Sequence, residues 1–200
     1  MTVTDHRWNH NIHYHPLVLG AVPRGAKNAL DIGCGEGMLA RKLRRVVPDV
    51  VAVDLDEVSI DLARAHDDGA DIDYVLADFL THPFERDSFD LIVSVATLHH
   101  MDAAMGLERM RELLRPGGNL VIIGLARSRL PNDLPFELLG IAANRLHGLT
   151  KNHWEHPSPM ASPPVTYATM KELAARILPG SRYRRHLLWR YSLTWTRPVG

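Results

Sequence analysis

A short apolar stretch that runs into three closely spaced glycines sets the terms for the rest of this chain. Asn28-Ala-Leu-Asp-Ile32 passes directly into Gly33-Cys-Gly-Glu-Gly37. A strand of that kind is expected at the centre of a parallel sheet, where both faces are covered. Gly33, Gly35 and Gly37 let the backbone turn tightly and approach a ligand with no side chain between. Beyond them, apolar residues fall at 38, 39, 43, 46 and 47, close to helical spacing. A helix that begins behind such a turn presents unpaired N–H groups and the positive end of its dipole. An anionic group, a carboxylate or a phosphate, is expected there.

Spacing narrows the ligand. The dinucleotide fingerprint G-x-G-x-x-G needs a glycine where this chain has Met38. That departure argues against a nicotinamide cofactor. The pattern here is G-x-G-x-G, with Asp31 shortly before Gly33. Together these residues resemble the first motif of class I S-adenosylmethionine (SAM)-dependent methyltransferases. The resemblance implies that Asp31, Gly33, Cys34 and Gly35 contact the cofactor.

The downstream order agrees with that reading. Val50-Val-Ala-Val-Asp54 is a second apolar strand ending in an acid 21 positions beyond Gly33. An acid so placed accepts hydrogen bonds from ribose hydroxyls, in NAD and SAM proteins alike. Leu55, which follows it, is carried over as a further cofactor contact. Glu57 to His66 reads as a helix and Ile72 to Ala77 as a third strand. In the family resemblance, Asp78 accepts from the adenine amino group and Phe79 packs on the ring. Phe89-Asp-Leu-Ile-Val-Ser-Val95 is a fourth strand, leading into Ala96-Thr-Leu-His-His-Met101. That loop falls in the switch region where open α/β sheets bind ligands, and the resemblance places Val95 at the cofactor and the loop beside the transferable methyl. Asp102 to Leu114 is a helix. Arg115-Pro-Gly-Gly118 should end it, with Gly117 as C-cap, before a fifth strand from Asn119 to Gly124.

The flanks read differently. Residues 1–27 contain Trp8-Asn-His-Asn-Ile-His-Tyr-His15. His10, His13 and His15 raise the question of a metal, but the spacing is no zinc pattern and no Cys or acid joins them. No metal is expected. A lid over cofactor and acceptor is the expectation, and the resemblance puts Tyr14 at the cofactor. The alternation breaks over residues 126–165, where Leu134 to Leu149 reads as an apolar helix. His153, Trp154, His156 and several prolines follow. An insertion of that length in a compact domain more often covers a ligand than fills space, so it is assigned to a substrate lid. Residues 166–200 should form a terminal helix, Tyr167 to Leu178, and a strand pair, Arg182 to Trp189 and Tyr191 to Thr196, joined by a tight turn. Trp189 and Trp195 read as packing residues.

A chain of 200 residues suits one domain, divided at 28, 125 and 166 into lid, SAM-binding half, insertion and terminal unit. No run of about 18 apolar residues spans a membrane, and no apolar signal core opens the chain. One cysteine, Cys34, fits a reducing cytoplasm. Residues 1–100 carry 16 acids against 9 Lys/Arg; residues 101–200 carry 7 against 14. The arginines are scattered apart from Arg182, Arg184 and Arg185, so nucleic acid is not the expected partner. A homodimer is left open.

The fold implied is α/β: a doubly wound, mostly parallel seven-stranded sheet with an antiparallel last strand. The reaction implied is in-line transfer of the SAM methyl to an O, N or C nucleophile of a small-molecule acceptor, leaving S-adenosylhomocysteine. His99 and His100 are the candidates for general base or acceptor orientation, with His15 and His153 behind them. A SAM-binding protein of the same fold with another reaction, or a partner subunit, is the alternative.

Overall fold

The structure is a computed structural model and describes residues 8–67, 69–131, 133–150, 154 and 163–199. Seven strands form one sheet: β1 (Asn28–Ile32), β2 (Asp49–Asp54), β3 (Asp73–Leu76), β4 (Phe89–Val95), β5 (Leu114–Gly124), β6 (Arg182–Arg185) and β7 (Tyr191–Thr196). Their spatial order is β3-β2-β1-β4-β5-β7-β6. Only β7 runs antiparallel to its neighbour β5, and β6 pairs antiparallel with β7. The helices are α1 (His15–Leu19), α2 (Met38–Arg44), α3 (Glu57–Ala65), α4 (Ala103–Leu113), α5 (Leu134–Thr150) and α6 (Tyr167–Ile177).

Strand parity divides the core in two. Ala29, Ala52, Leu91, Val93, Val121 and Ile123 pack with Val18, Leu39, Leu43 and Ile60 on the α1–α3 side. Leu30, Val53, Ile92, Leu120 and Ile122 pack with Leu107, Met110, Met170 and Ile177 on the α4–α6 side. Burial on both faces is why these strands are continuously apolar. Among the described residues no helix is long and apolar enough to cross a membrane.

Three boundaries differ from the sequence reading. Helix α4 ends at Leu113, and Leu114 is already extended, so Gly117 does not cap the helix. The Arg115–Gly118 stretch belongs to β5, as an irregularity between the Phe89–Leu114 and Leu91–Asn119 pairs. Gly117, at φ +81°, turns its N–H onto Arg197 O at 2.8 Å. Strand β6 stops at Arg185, so a longer connector, His186 to Arg190, replaces the expected tight turn. Within it Leu188 and Trp189 hold positive φ, 61° and 55°. His153 and His156 lie outside the described residues.

Helix α5 is held by polar groups. Arg185 pairs with Asp133 and Glu137, and Trp189 Nε1 donates to Glu137 Oε2 at 2.8 Å. Its Leu138, Leu139 and Leu146 are exposed.

Candidate active site

A cavity of about 520 Å³ opens at the carboxyl ends of β1, β2 and β4. Its floor is the glycine turn. Gly33, Gly35 and Gly37 all take positive φ, at 71°, 53° and 75°. A Cβ on Gly33 would stand 2.0 Å from Thr97 Oγ1, and one on Gly37 2.6 Å from the Tyr74 hydroxyl. The turn is therefore pressed between β4's exit loop and β3.

Asp54 closes β2 and ties it to that turn. Its Oδ2 accepts from Gly35 N at 2.8 Å and its Oδ1 from Asp56 N at 3.0 Å. Each oxygen keeps a lone-pair site for a further donor. Asp56 next caps α3, accepting from Ser59 N at 2.9 Å. Asp31 is 2% exposed, and its Oδ2 has no hydrogen-bond partner. Burial, and then the charge of Asp54, pushes its carboxyl up to about 7. Cys34 is buried, and burial beside Asp31 and Asp54 raises its thiol.

The remaining wall comes from five segments. Leu55, Asp78 and Phe79 line one end. Asp78 Oδ1 accepts from Leu80 N at 2.9 Å, and Arg109 Nε holds the Phe79 carbonyl at 2.7 Å. Val95, Ala96, Thr97, His100 and Met101 line the other end. Ala96 sits at φ 57°, rare for a residue with a Cβ. Asn9, Asn11, Ile12 and His15 reach in from the N-terminal segment, and Trp154 from the segment after α5. These two segments meet directly: Trp154 N donates to Trp8 O at 2.8 Å.

Of the residues singled out in the sequence, Asp31, Gly33, Cys34, Gly35, Asp54, Leu55, Asp78, Phe79, Val95 and His100 share this cavity. Tyr14 and His99 are not in its lining. Tyr14 donates from its hydroxyl to Leu187 O at 2.6 Å and packs against the His186 ring. His99 stands behind His100, the ring centroids 4.0 Å apart. Burial, helped by His100 and Arg190, holds its imidazole down at about 4. The N-terminal histidines diverge. His10 Nε2 meets Asn144 Oδ1 at 2.8 Å, His13 lies edge-on to Tyr14, and His15 Nδ1 meets Lys42 Nζ at 3.1 Å. Asn11, Thr97 and Met101 lay inside stretches read as lid and exit loop without being singled out. Arg190, a lone arginine just before β7, carries no motif that spacing could have found.

A methyltransferase-domain family model matches residues 30–122. The chain is 37% identical to an uncharacterized methyltransferase of Mycobacterium tuberculosis (strain ATCC 25618 / H37Rv), over 98% of this chain and 100% of the relative. It is 32% identical to the ubiquinone biosynthesis O-methyltransferase of Chelativorans sp. (strain BNC1), over 54% of this chain and 46% of that one. The crystal structure of YcgJ protein from Bacillus subtilis superposes with a TM-score of 0.67 at 19% identity, covering 87% of this chain and 71% of that one. A SAM-dependent methyltransferase from Aquifex aeolicus gives 0.63 at 15% identity, covering 91% and 88%. The two structures share the fold. With the glycine turn, the strand order and a relative matched from end to end, the chain belongs to the class I SAM-dependent methyltransferases.

Proposed function

We propose that this methyltransferase acts on a small-molecule acceptor, held beside His100 under the segments that precede β1 and follow β5. What supports the reading is one cavity that joins the glycine turn to His100. Its volume of about 520 Å³ is in the range of small-ligand sites.

The residues fit SAM on their own chemistry. The unpartnered Oδ2 of Asp31 is a buried acceptor facing a site where the cofactor carries an ammonium group. Asp54 has room for ribose hydroxyls beyond the two N–H groups it accepts. Leu55 at 73% exposure and Phe79 offer apolar surface for a base, with Asp78 at the rim. When bound, SAM supplies an already activated sulfonium methyl. The chain's part is to hold the acceptor nucleophile in line at roughly 3–3.5 Å and to exclude water.

The two histidines take different roles. His100 is exposed and lines the cavity, so a proton leaving the acceptor goes to its imidazole. His99, held at about 4 by burial, is too weak a base for that at neutral pH; it stays neutral and orients what lies beside it.

The test is turnover with purified protein and labelled SAM on a panel of phenols and small organic acids against transfer RNA and ribosomal RNA. Label entering small acceptors with release of S-adenosylhomocysteine is the expected result. Label entering RNA preferentially overturns the proposal.

A further inference from the structure

Arg190 is a buried cation with no carboxylate to balance it among the described residues. It is 8% exposed. Nearby Asp133 and Glu137 pair with Arg185 instead. All of its partners are neutral oxygens. Nη1 donates to Leu188 O and Trp189 O, the carbonyls of the two positive-φ residues of that connector, both at 3.3 Å. Nε and Nη2 both donate to a single atom, Asn11 Oδ1, at 3.1 and 2.7 Å.

That Nε–Nη2 edge is the side of a guanidinium that takes a carboxylate or another oxyanion. Burying an unpaired charge is costly, and an amide oxygen offsets little of the cost. Two further buried polar atoms nearby lack partners, His99 Nδ1 and the Tyr167 hydroxyl. The Tyr167 ring lies edge-on to Tyr191, the residue after Arg190, with the ring centroids 6.4 Å apart. Asn11 and His100 line the cavity; Arg190 and His99 stand directly behind them, one hydrogen-bonded and one in tilted ring contact.

We propose that Arg190, with the Tyr167 hydroxyl and His99 Nδ1, forms a subsite for an anionic oxygen of the acceptor, and that Asn11 Oδ1 holds its place until the acceptor arrives. The acceptor is then a small organic acid. The subsite rests on the methyl-transfer reading above for its occupant, not for its existence.

Binding tests it without turnover. The full chain, saturated with S-adenosylhomocysteine, is titrated with acetate, benzoate and 4-hydroxybenzoate, each against its carboxamide. At least one acid should bind about tenfold or more tightly than its amide, as a charge-assisted pair requires. Arg190→Gln should remove that preference and leave S-adenosylhomocysteine affinity as it was. Asn11→Ala, which frees the two N–H groups, should strengthen the acid several-fold, an increase that a merely structural asparagine does not give. If Arg190→Gln does not fold, Asn11→Ala decides, and unchanged or weaker acid binding overturns the subsite. So does the absence of any acid preference, or its persistence in Arg190→Gln. Acids that compete with S-adenosylhomocysteine, together with weakened S-adenosylhomocysteine in Arg190→Gln, give the guanidinium to the cofactor's carboxylate and also overturn it. Arg190-dependent acid binding by a protein that ignores S-adenosylhomocysteine leaves the subsite standing and defeats the methyl-transfer reading alone.

Discussion

Asp31 and His99 are both buried and both titrate out of place, in opposite directions. Asp31's carboxyl is raised from 3.8 to about 7, so the folded chain holds a proton that the unfolded chain has lost. The stability this contributes is present below about pH 4 and is lost as pH rises to about 7. His99 is lowered from 6.5 to about 4. Its contribution is present above pH 6.5 and is lost as pH falls to about 4. Across pH 4–6.5 the two slopes oppose each other. Asp31→Asn should therefore expose the histidine's slope: melting temperatures of that variant should fall on acidification through this window more steeply than those of the unmodified protein. Equal slopes would refute the opposition. The same carboxyl should lose its proton to meet a cationic ligand. Calorimetry of SAM binding at pH 6 in buffers of different ionisation enthalpy should register proton release, and Asp31→Asn should abolish it. Asp54 makes a simpler case. Asp54→Ala removes the charged acceptor for the ribose and should weaken SAM binding by about 2–4 kcal/mol. Asp54→Asn, which keeps one acceptor oxygen, should lose less. That both aspartates line the cavity was legible in the sequence, because each stands at or next to the carboxyl end of an apolar strand, where open α/β sheets bind ligands. Arg190 was not legible, since its partner Asn11 lies at the far end of the chain and only the fold brings the two together.

At the level of elements, the central strands announced themselves. Leu30 and Ile32 face one layer of helices and Ala29 the other, so the run had to be apolar throughout, and its boundary fell where glycine begins. The edges were harder. A glycine with positive φ serves a helix cap and a strand irregularity equally well, so Gly117 could not be assigned locally; its partner, Arg197, arrives 80 residues later. Likewise the alternation of Arg182 to Trp189 suits a strand, yet Leu188 and Trp189 take positive φ and turn their carbonyls to the Arg190 guanidinium. The junction of β1, its glycine turn and β4 gives a sharp test. A methyl added at Gly33 must coexist with Thr97 Oγ1 at 2.0 Å and with a φ of +71°. Gly33→Ala should destabilise by about 2–4 kcal/mol, overlap and strain together. Thr97→Gly in the same chain should recover the overlap part and leave the strain. A double-mutant cycle by urea unfolding measures that coupling, and additive effects would mean the turn relaxes away from β4.

For the molecule as a whole, the sheet and its two helical layers form one structural system, and the cover over its carboxyl edge forms another. Among the described residues, the stretch from Trp8 to Tyr14 is fastened to elements that lie outside β1–β5. Trp8 O meets Trp154 N at 2.8 Å, and His10 meets Asn144 of α5 at 2.8 Å. Asn11 meets Arg190 at 2.7 Å, and Tyr14 meets Leu187 at 2.6 Å. Two of these contacts, to Leu187 and Arg190, fall on the β6–β7 connector. The segment and the connector should therefore open together, as one locally cooperative unit, at a free energy below that of global unfolding. Tyr14→Phe removes one fastening, worth about 1 kcal/mol, without touching the cavity lining. Hydrogen exchange should then quicken at the amides of His13 and Tyr14 and, in step with them, at His186, whose N–H is bonded within the connector to Arg190 O at 2.8 Å. Amides of β1 and β4 should keep their rates. Faster exchange at Tyr14 with His186 unmoved would mean that cover and connector open independently, and that the cavity's roof is two flaps with separate hinges.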